Sequence, residues 1–104
     1  MTAKKYDSGK PDLSLCPRPA LNEMASAFML GEGKYGRYNY LSGNMDSHRL
    51  VAAAMRHITA WQDGEDLDPE SGNSHLGHAL ACLAMMLDQM DKGVFVDSRR
   101  KPKA

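Results

Sequence analysis

Between His57 and His78 the chain reads "HITAWQDGEDLDPESGNSHLGH", a stretch that sets three histidines around five carboxylates, Asp63, Glu65, Asp66, Asp68 and Glu70. Carboxylates are hard oxygen donors, and so many on a short connection could be gathered around Mg²⁺ or Mn²⁺. His75 and His78 are three residues apart, a spacing that puts both side chains on one helical face, and Cys82 continues the same row. Two histidines so placed can chelate a metal. His57 follows Ala54 by three residues and precedes Trp61 by four, which sets its ring at the edge of an apolar stripe. Each feature also has a plainer reading. Acid-rich loops between helices are mostly solvated, and Asp68-Pro69 and Ser71-Gly72 are ordinary turn chemistry. Histidines near a helix start can serve as hydrogen-bonding caps, and a buried His57 can satisfy a backbone carbonyl. A tight structural zinc site wants four ligands, and the cysteine spacing offers none.

A second kind of chemistry is offered by cations beside aromatics. Lys10 stands beside Ser8 and Gly9, while Lys34 and Arg37 alternate with Tyr35, Tyr38 and Tyr40. Such groups can hold a phosphate and stack a base. The "SGK" triplet is not a phosphate-binding P-loop, because the upstream glycine at the required spacing is absent and no strand precedes it. Lead-in lysines more often only solubilise, and loop tyrosines often pack locally.

The elements that must position these groups are helical. Residues 1–17 carry two prolines, a glycine and three lysines without periodicity, and read as an extended lead-in. A helix over about 18–32 follows, with Pro19 in its first turn and Leu21, Met24, Ala25, Phe28 and Met29 at three- and four-residue steps. Gly31, Gly33 and Gly36 then each cost about 1 kcal/mol relative to Ala in a helix, so "GEGKYGRYNYLSGN" reads as a loop or a frayed end. A second helix is expected over about 46–63, capped by Asp46 or Ser47, with Leu50, Ala54, Ile58 and Trp61 as its apolar stripe. A third spans about 74–92, with Ser74 as its cap and Lys92 at the negative end of its dipole. Leu76, Leu80, Leu83, Leu87 and Met90 form one face of it, and Ala79, Met85 and Met86 extend the apolar girdle most of the way round. No alternation is long enough to found a sheet. The expected class is therefore all-α, a small bundle of about three main helices completed by homo-oligomerisation. The expected organisation is a lead-in over 1–17, a helical nucleotide-binding domain over 18–93 and a short basic tail over 94–104, with Arg99, Arg100, Lys101 and Lys103 disordered.

Bulk properties narrow the function classes. At 104 residues the chain suits one small domain whose core is compact or shared with a partner. Thirteen basic residues cancel thirteen acidic ones, so the overall charge does not argue for a nucleic-acid or membrane-surface protein. Only the tail from Arg99 to Lys103 could touch nucleic acid, through salt-dependent and sequence-indifferent contacts. No apolar run approaches the roughly 20 residues that span a bilayer, and no leader pattern opens the chain. The expectation is a cytoplasmic protein, in the host cytoplasm if encoded by a phage. Cys16 and Cys82 are far apart, and reduced thiols are expected, with Cys82 a small buried side chain.

In order, "YDSGKPDLSLCP", "LNEMASAFMLGEGKYGRYNY", "RHITAWQDGEDLDPESG" and "HLGHALACLAMML" resemble the blocks of the phage-type dATP/dGTP diphosphohydrolase N-terminal family, in the company of all-α MazG-like pyrophosphohydrolases. The resemblance covers about residues 5 to 90 and implies cleavage of a purine deoxynucleoside triphosphate to monophosphate and pyrophosphate by a helical oligomer with Mg²⁺ or Mn²⁺. Carried onto this sequence, it makes Glu65, Asp66 and Glu70 the catalytic candidates, and Glu65, Asp66, Asp68, Glu70, His75 and His78 the metal candidates. Lys10, Lys34, Tyr35, Arg37, Asn39, Arg56 and His57 become candidates for holding the nucleotide. One departure stands out. MazG-like enzymes pair acids as ExxE and ExxD on facing helices, whereas the second helix has no acid between Ser47 and Gln62 and the third none before Asp88. Metal ligands must then come from the central loop and the histidines, or from a second subunit. The alternative is a protein that binds and sequesters a nucleotide, or a nucleotide-derived signal, without cleaving it.

Overall fold

The computed structural model describes residues 3–101. Three α-helices carry the fold: α1 over Arg18–Tyr35, α2 over Ser47–Gln62 and α3 over His75–Asp91. Two short 3-10 turns, Leu13–Leu15 and Asn39–Leu41, lie before α1 and between α1 and α2. No strand forms among the described residues, and none of their helices is long and apolar enough to cross a membrane.

The α3 helix is the central element, packing against both α2 and α1. The faces it uses are built from small residues. Ala79, Ala81 and Cys82 are buried, and Leu50, Ala54 and Cys82 form a core against which Met45, Ala53, Met85 and Met86 pack. Small side chains let the helix axes approach closely, and the flexible methionines fill the remaining gaps. Gly77 takes this furthest: a Cβ built there would lie 2.7 Å from the Glu23 carbonyl oxygen of α1. The leucine row behaves differently from the interior stripe that its periodicity suggests. Leu76, Leu83, Leu87 and Met90 are all more than two-fifths exposed, with Leu87 reaching 68%. On α2 the outer half of the stripe, Ile58 and Trp61, is also exposed.

The helix ends follow local chemistry with two exceptions. Ser74 caps α3 as expected, its hydroxyl accepting from the Gly77 amide at 2.9 Å. Gly64 and Gly93 take positive φ just past α2 and α3, where a side chain would be strained. The first exception is α1, which continues through Gly31 and Gly33 to Tyr35 and stops only at Gly36, at φ 89°. Two helical glycines cost about 2 kcal/mol in propensity, a cost that tertiary packing can override. The second is the start of α2, where the Asp46 side chain makes no capping bond. The capping groups come instead from the far end of the chain. The Ser98 hydroxyl accepts from the His48 amide at 3.0 Å, and the Ser47 amide donates to the Val96 carbonyl at 2.8 Å. The start of the segment read as a short basic tail is therefore docked through Ser98, ahead of the residues expected to be disordered, and Arg99 pairs with Asp97 at 2.6 Å. Lys103 lies outside the described residues.

Candidate functional site

Because α2 and α3 are joined by a short connection and pack together as a hairpin, the last turns of α2 meet the first turn of α3. His57 is thereby brought against His75 and His78. The His57 Nδ1 lies 2.9 Å from the His75 Nδ1, and the rings of His57 and His78 stack at 4.5 Å with an interplanar angle of 11°. His75 is 4% exposed, and its Nε2 meets the Glu65 carboxylate at 2.6 Å.

The connection itself is folded rather than solvated slack. The Asp68 amide donates to the Asn73 carbonyl, the Gly72 amide to the Asp68 carbonyl, and the His75 amide to the Asp66 carbonyl. Asn73 anchors the loop to α1 by donating to the Ser26 carbonyl at 3.2 Å. Asp68 is the organiser: its carboxylate accepts from the Glu70 amide at 3.0 Å and from the Ser71 hydroxyl at 3.3 Å. Ser71 Oγ also lies 2.8 Å from His78 Nε2, which is itself 3.8 Å from Asp68 Oδ2.

One donor atom from each of His57, Asp68 and His78 falls within 4.8 Å of the other two. Burial, reinforced by the neighbouring His78 and His75, holds His57 below the usual histidine pKa. For His78, burial likewise dominates and outweighs the opposing charge of Asp68. The Asp68 carboxyl is lowered chiefly by the hydrogen bond from the Glu70 amide. At neutral pH the cluster is therefore two neutral imidazoles facing one carboxylate.

The cluster opens into a cavity of about 500 Å³ whose lining includes Leu30, Lys34, Tyr35, Arg56, Glu70 and Ser71. Neither Lys34 nor Arg56 forms a salt bridge among the described residues. Lys34 depresses the His78 pKa and Arg56 that of His57. Two uncommitted cations thus flank a histidine and carboxylate floor, an arrangement suited to a phosphorylated ligand.

The residues singled out in the sequence divide accordingly. Lys34, Tyr35, Arg56, His57, Asp68, Glu70, His75 and His78 all line the cavity. Glu65 reaches the site only through His75, and Asp66 contributes its backbone carbonyl rather than its carboxylate. Arg37 pairs with Glu32 on the surface at 2.9 Å. Asn39 begins a 3-10 turn and Lys10 closes the exposed turn in which its amide donates to the Asp7 carbonyl; neither lines the cavity. Tyr40 turns away as well, donating to Asp88 at 2.6 Å. Ser71, which bridges Asp68 and His78, was visible in the sequence only as a turn residue.

Residues 1–99 match the family model "dATP/dGTP diphosphohydrolase, N-terminal". A protein of Salmonella phage PMBT28 named dATP/dGTP diphosphohydrolase is 34% identical over 100 residues, covering 96% of this chain. The chain spans 34% of that relative's length. No solved structure matches it. With nearly its whole length inside the matched region, the chain belongs to the dATP/dGTP diphosphohydrolase N-terminal family.

Proposed function

We propose that the chain binds a purine deoxynucleoside triphosphate in the cavity of Lys34, Arg56 and the histidine cluster, and hydrolyses it to monophosphate and pyrophosphate. The observation that carries this is the joining, in one cavity, of two cations that form no salt bridge among the described residues with neutral imidazoles and a carboxylate. Phosphoryl transfer asks mainly for positioning and for charge absorption on the phosphate oxygens. Lys34 and Arg56 supply the charge, and Arg56 can do so with a bidentate grip. His57 and His78 carry ring nitrogens able to hold water or take its proton. Tyr35 is an exposed part of the lining, and a base can lie against its ring. The matched family and the name of the phage relative support the substrate class.

Mg²⁺ or Mn²⁺, expected from the resemblance, would neutralise phosphate charge when bound. Such ions are commonly held by one or two carboxylates plus substrate phosphates, and the cavity offers Glu70 for that. We further propose that a second copy of the chain covers the exposed row of Leu76, Leu80, Leu83, Leu87 and Met90, whose alternating four- and three-residue steps are those of a helix-to-helix seam.

The test is incubation of the pure protein with each deoxynucleoside triphosphate, with and without Mg²⁺ or Mn²⁺, and chromatographic resolution of the products. Monophosphate and pyrophosphate from the purine substrates are expected. Tight binding of unchanged nucleotide would replace hydrolysis by sequestration.

A further inference from the structure

The hydrogen bonds around His57 determine more than its position. Glu65 accepts from His75 Nε2, so with uncharged rings the His75 proton sits on Nε2 and its Nδ1 is left as a lone pair. That lone pair faces His57 Nδ1 at 2.9 Å, so His57 must carry its proton there. What remains is the His57 Nε2, bare of hydrogen and free of any hydrogen bond among the described residues. A carboxylate and an intervening imidazole thus prepare a second imidazole as an electron-pair donor. Metal-bound histidines are oriented in the same way, by an outer acceptor that fixes the tautomer.

The donor set then selects the kind of ion. Mg²⁺ demands oxygen ligands in near-octahedral order, whereas two of the three donors here are nitrogens. Imidazole with carboxylate suits Zn²⁺, Co²⁺, Fe²⁺ or Mn²⁺. His75 is excluded as a ligand because both of its ring nitrogens are engaged. Among the described residues His78 Nε2 is engaged only by the Ser71 hydroxyl, which bridges it to Asp68 Oδ2 across 3.8 Å, and an ion bound there would take that hydroxyl's place.

We infer that His57, Asp68 and His78 form a resident site for a divalent transition metal, separate in its preference from the magnesium a triphosphate carries, with Glu65 and His75 as positioning residues that set the His57 tautomer. Three protein ligands leave further coordination positions open toward the cavity, as in catalytic rather than structural sites. The inference concerns the ion, and its test needs no nucleotide, so it can fail while hydrolysis stands; with the ion bound, His57 and His78 would act on water through it rather than directly.

The experiment is a Co²⁺ titration of tag-free, chelator-treated protein, read by visible absorption and by metal analysis after gel filtration, with no nucleotide present. The expected result is about one Co²⁺ per chain, displaced by Zn²⁺ but not by excess Mg²⁺. His57→Ala and Asp68→Ala should each lose the bands, while Glu65→Ala should weaken binding about 10- to 100-fold. Asp63→Ala, in the same connection but outside the cavity, should bind as wild type. Circular dichroism establishes that each variant is folded; should His57→Ala fail there, Asp68→Ala in the loop decides alone. Absence of Co²⁺ bands in folded wild-type protein, or full binding by Asp68→Ala, overturns the site. Unchanged affinity in Glu65→Ala overturns the positioning role.

Discussion

His57 and His75 meet nitrogen to nitrogen, Nδ1 against Nδ1 at 2.9 Å, although they lie on different helices and 18 residues apart. One of the two must donate and the other accept, and with both rings neutral Glu65 on the far side of His75 decides which. Nitrogen-15 NMR of the histidine rings should therefore find His75 protonated at Nε2 and His57 at Nδ1 in the metal-free protein near neutral pH. The opposite tautomer at His57 would remove its free Nε2 and the donor role with it.

Tyr40 and Asp88 form another long-range polar pair, at 2.6 Å. Burial first, then the hydrogen bond and charge of Asp88, push the Tyr40 phenol from 10 up to about 12. A raised acid pKa means that the folded state keeps its proton longer than the unfolded chain. The stability gained is whole below pH 10 and is lost as the pH rises toward 12. Ultraviolet titration of the phenolates should show one tyrosine ionising at about 12, and Asp88→Asn should bring it down. A Tyr40 titration unmoved by that substitution would mean that burial alone sets it.

Gly77 permits α3 to lie against the Glu23 carbonyl, where an added Cβ would approach to 2.7 Å. The obstacle is backbone, which cannot rotate aside. Gly77→Ala improves helix propensity by about 1 kcal/mol in isolation, yet overpacking of this kind typically costs about 1–3 kcal/mol. Urea denaturation should show net destabilisation, whereas a stabilised variant would contradict the close approach.

The exposed row on α3 yields a prediction about assembly. Leu83 lies at its middle, 48% exposed, and Leu83→Glu places a charge where the proposed second copy packs. Sedimentation should show an oligomer for the wild-type chain and a monomer of unchanged helicity for the variant. A monomeric wild-type protein would leave the row as surface.

How far the sequence foretold this arrangement varies by element. Helix existence and class were plain from three- and four-residue apolar steps, and the Ser74 cap was plain from residue type. The continuation of α1 past Gly31 and Gly33 was not, because propensity counts the cost of a glycine but not the packing that offsets it. Nor was the docking of Ser98 on α2, since a cap supplied from 50 residues away leaves no local signal. Periodicity marked the α3 leucine row as apolar without saying whether the same chain covers it. At the site, the spacing of His75 and His78 correctly put them on one face, and Asp68 and Glu70 do enter the cavity. The partnership of His57 with Asp68 and His78 depends on hairpin geometry, which composition does not encode. A clue existed, however. If the two helices fold back on one another, a histidine near the end of the first comes against histidines at the start of the second.

The central claim is that the cavity hydrolyses a nucleotide, and the most direct measurement is product analysis with dATP and dGTP for the wild-type chain beside Arg56→Ala and Lys34→Ala. Loss of one charged hydrogen-bonding group should lower kcat/KM about 10- to 100-fold. Wild type should yield monophosphate and pyrophosphate, with both variants impaired but folded. Intact triphosphate after prolonged incubation, or wild-type turnover in both variants, would contradict it.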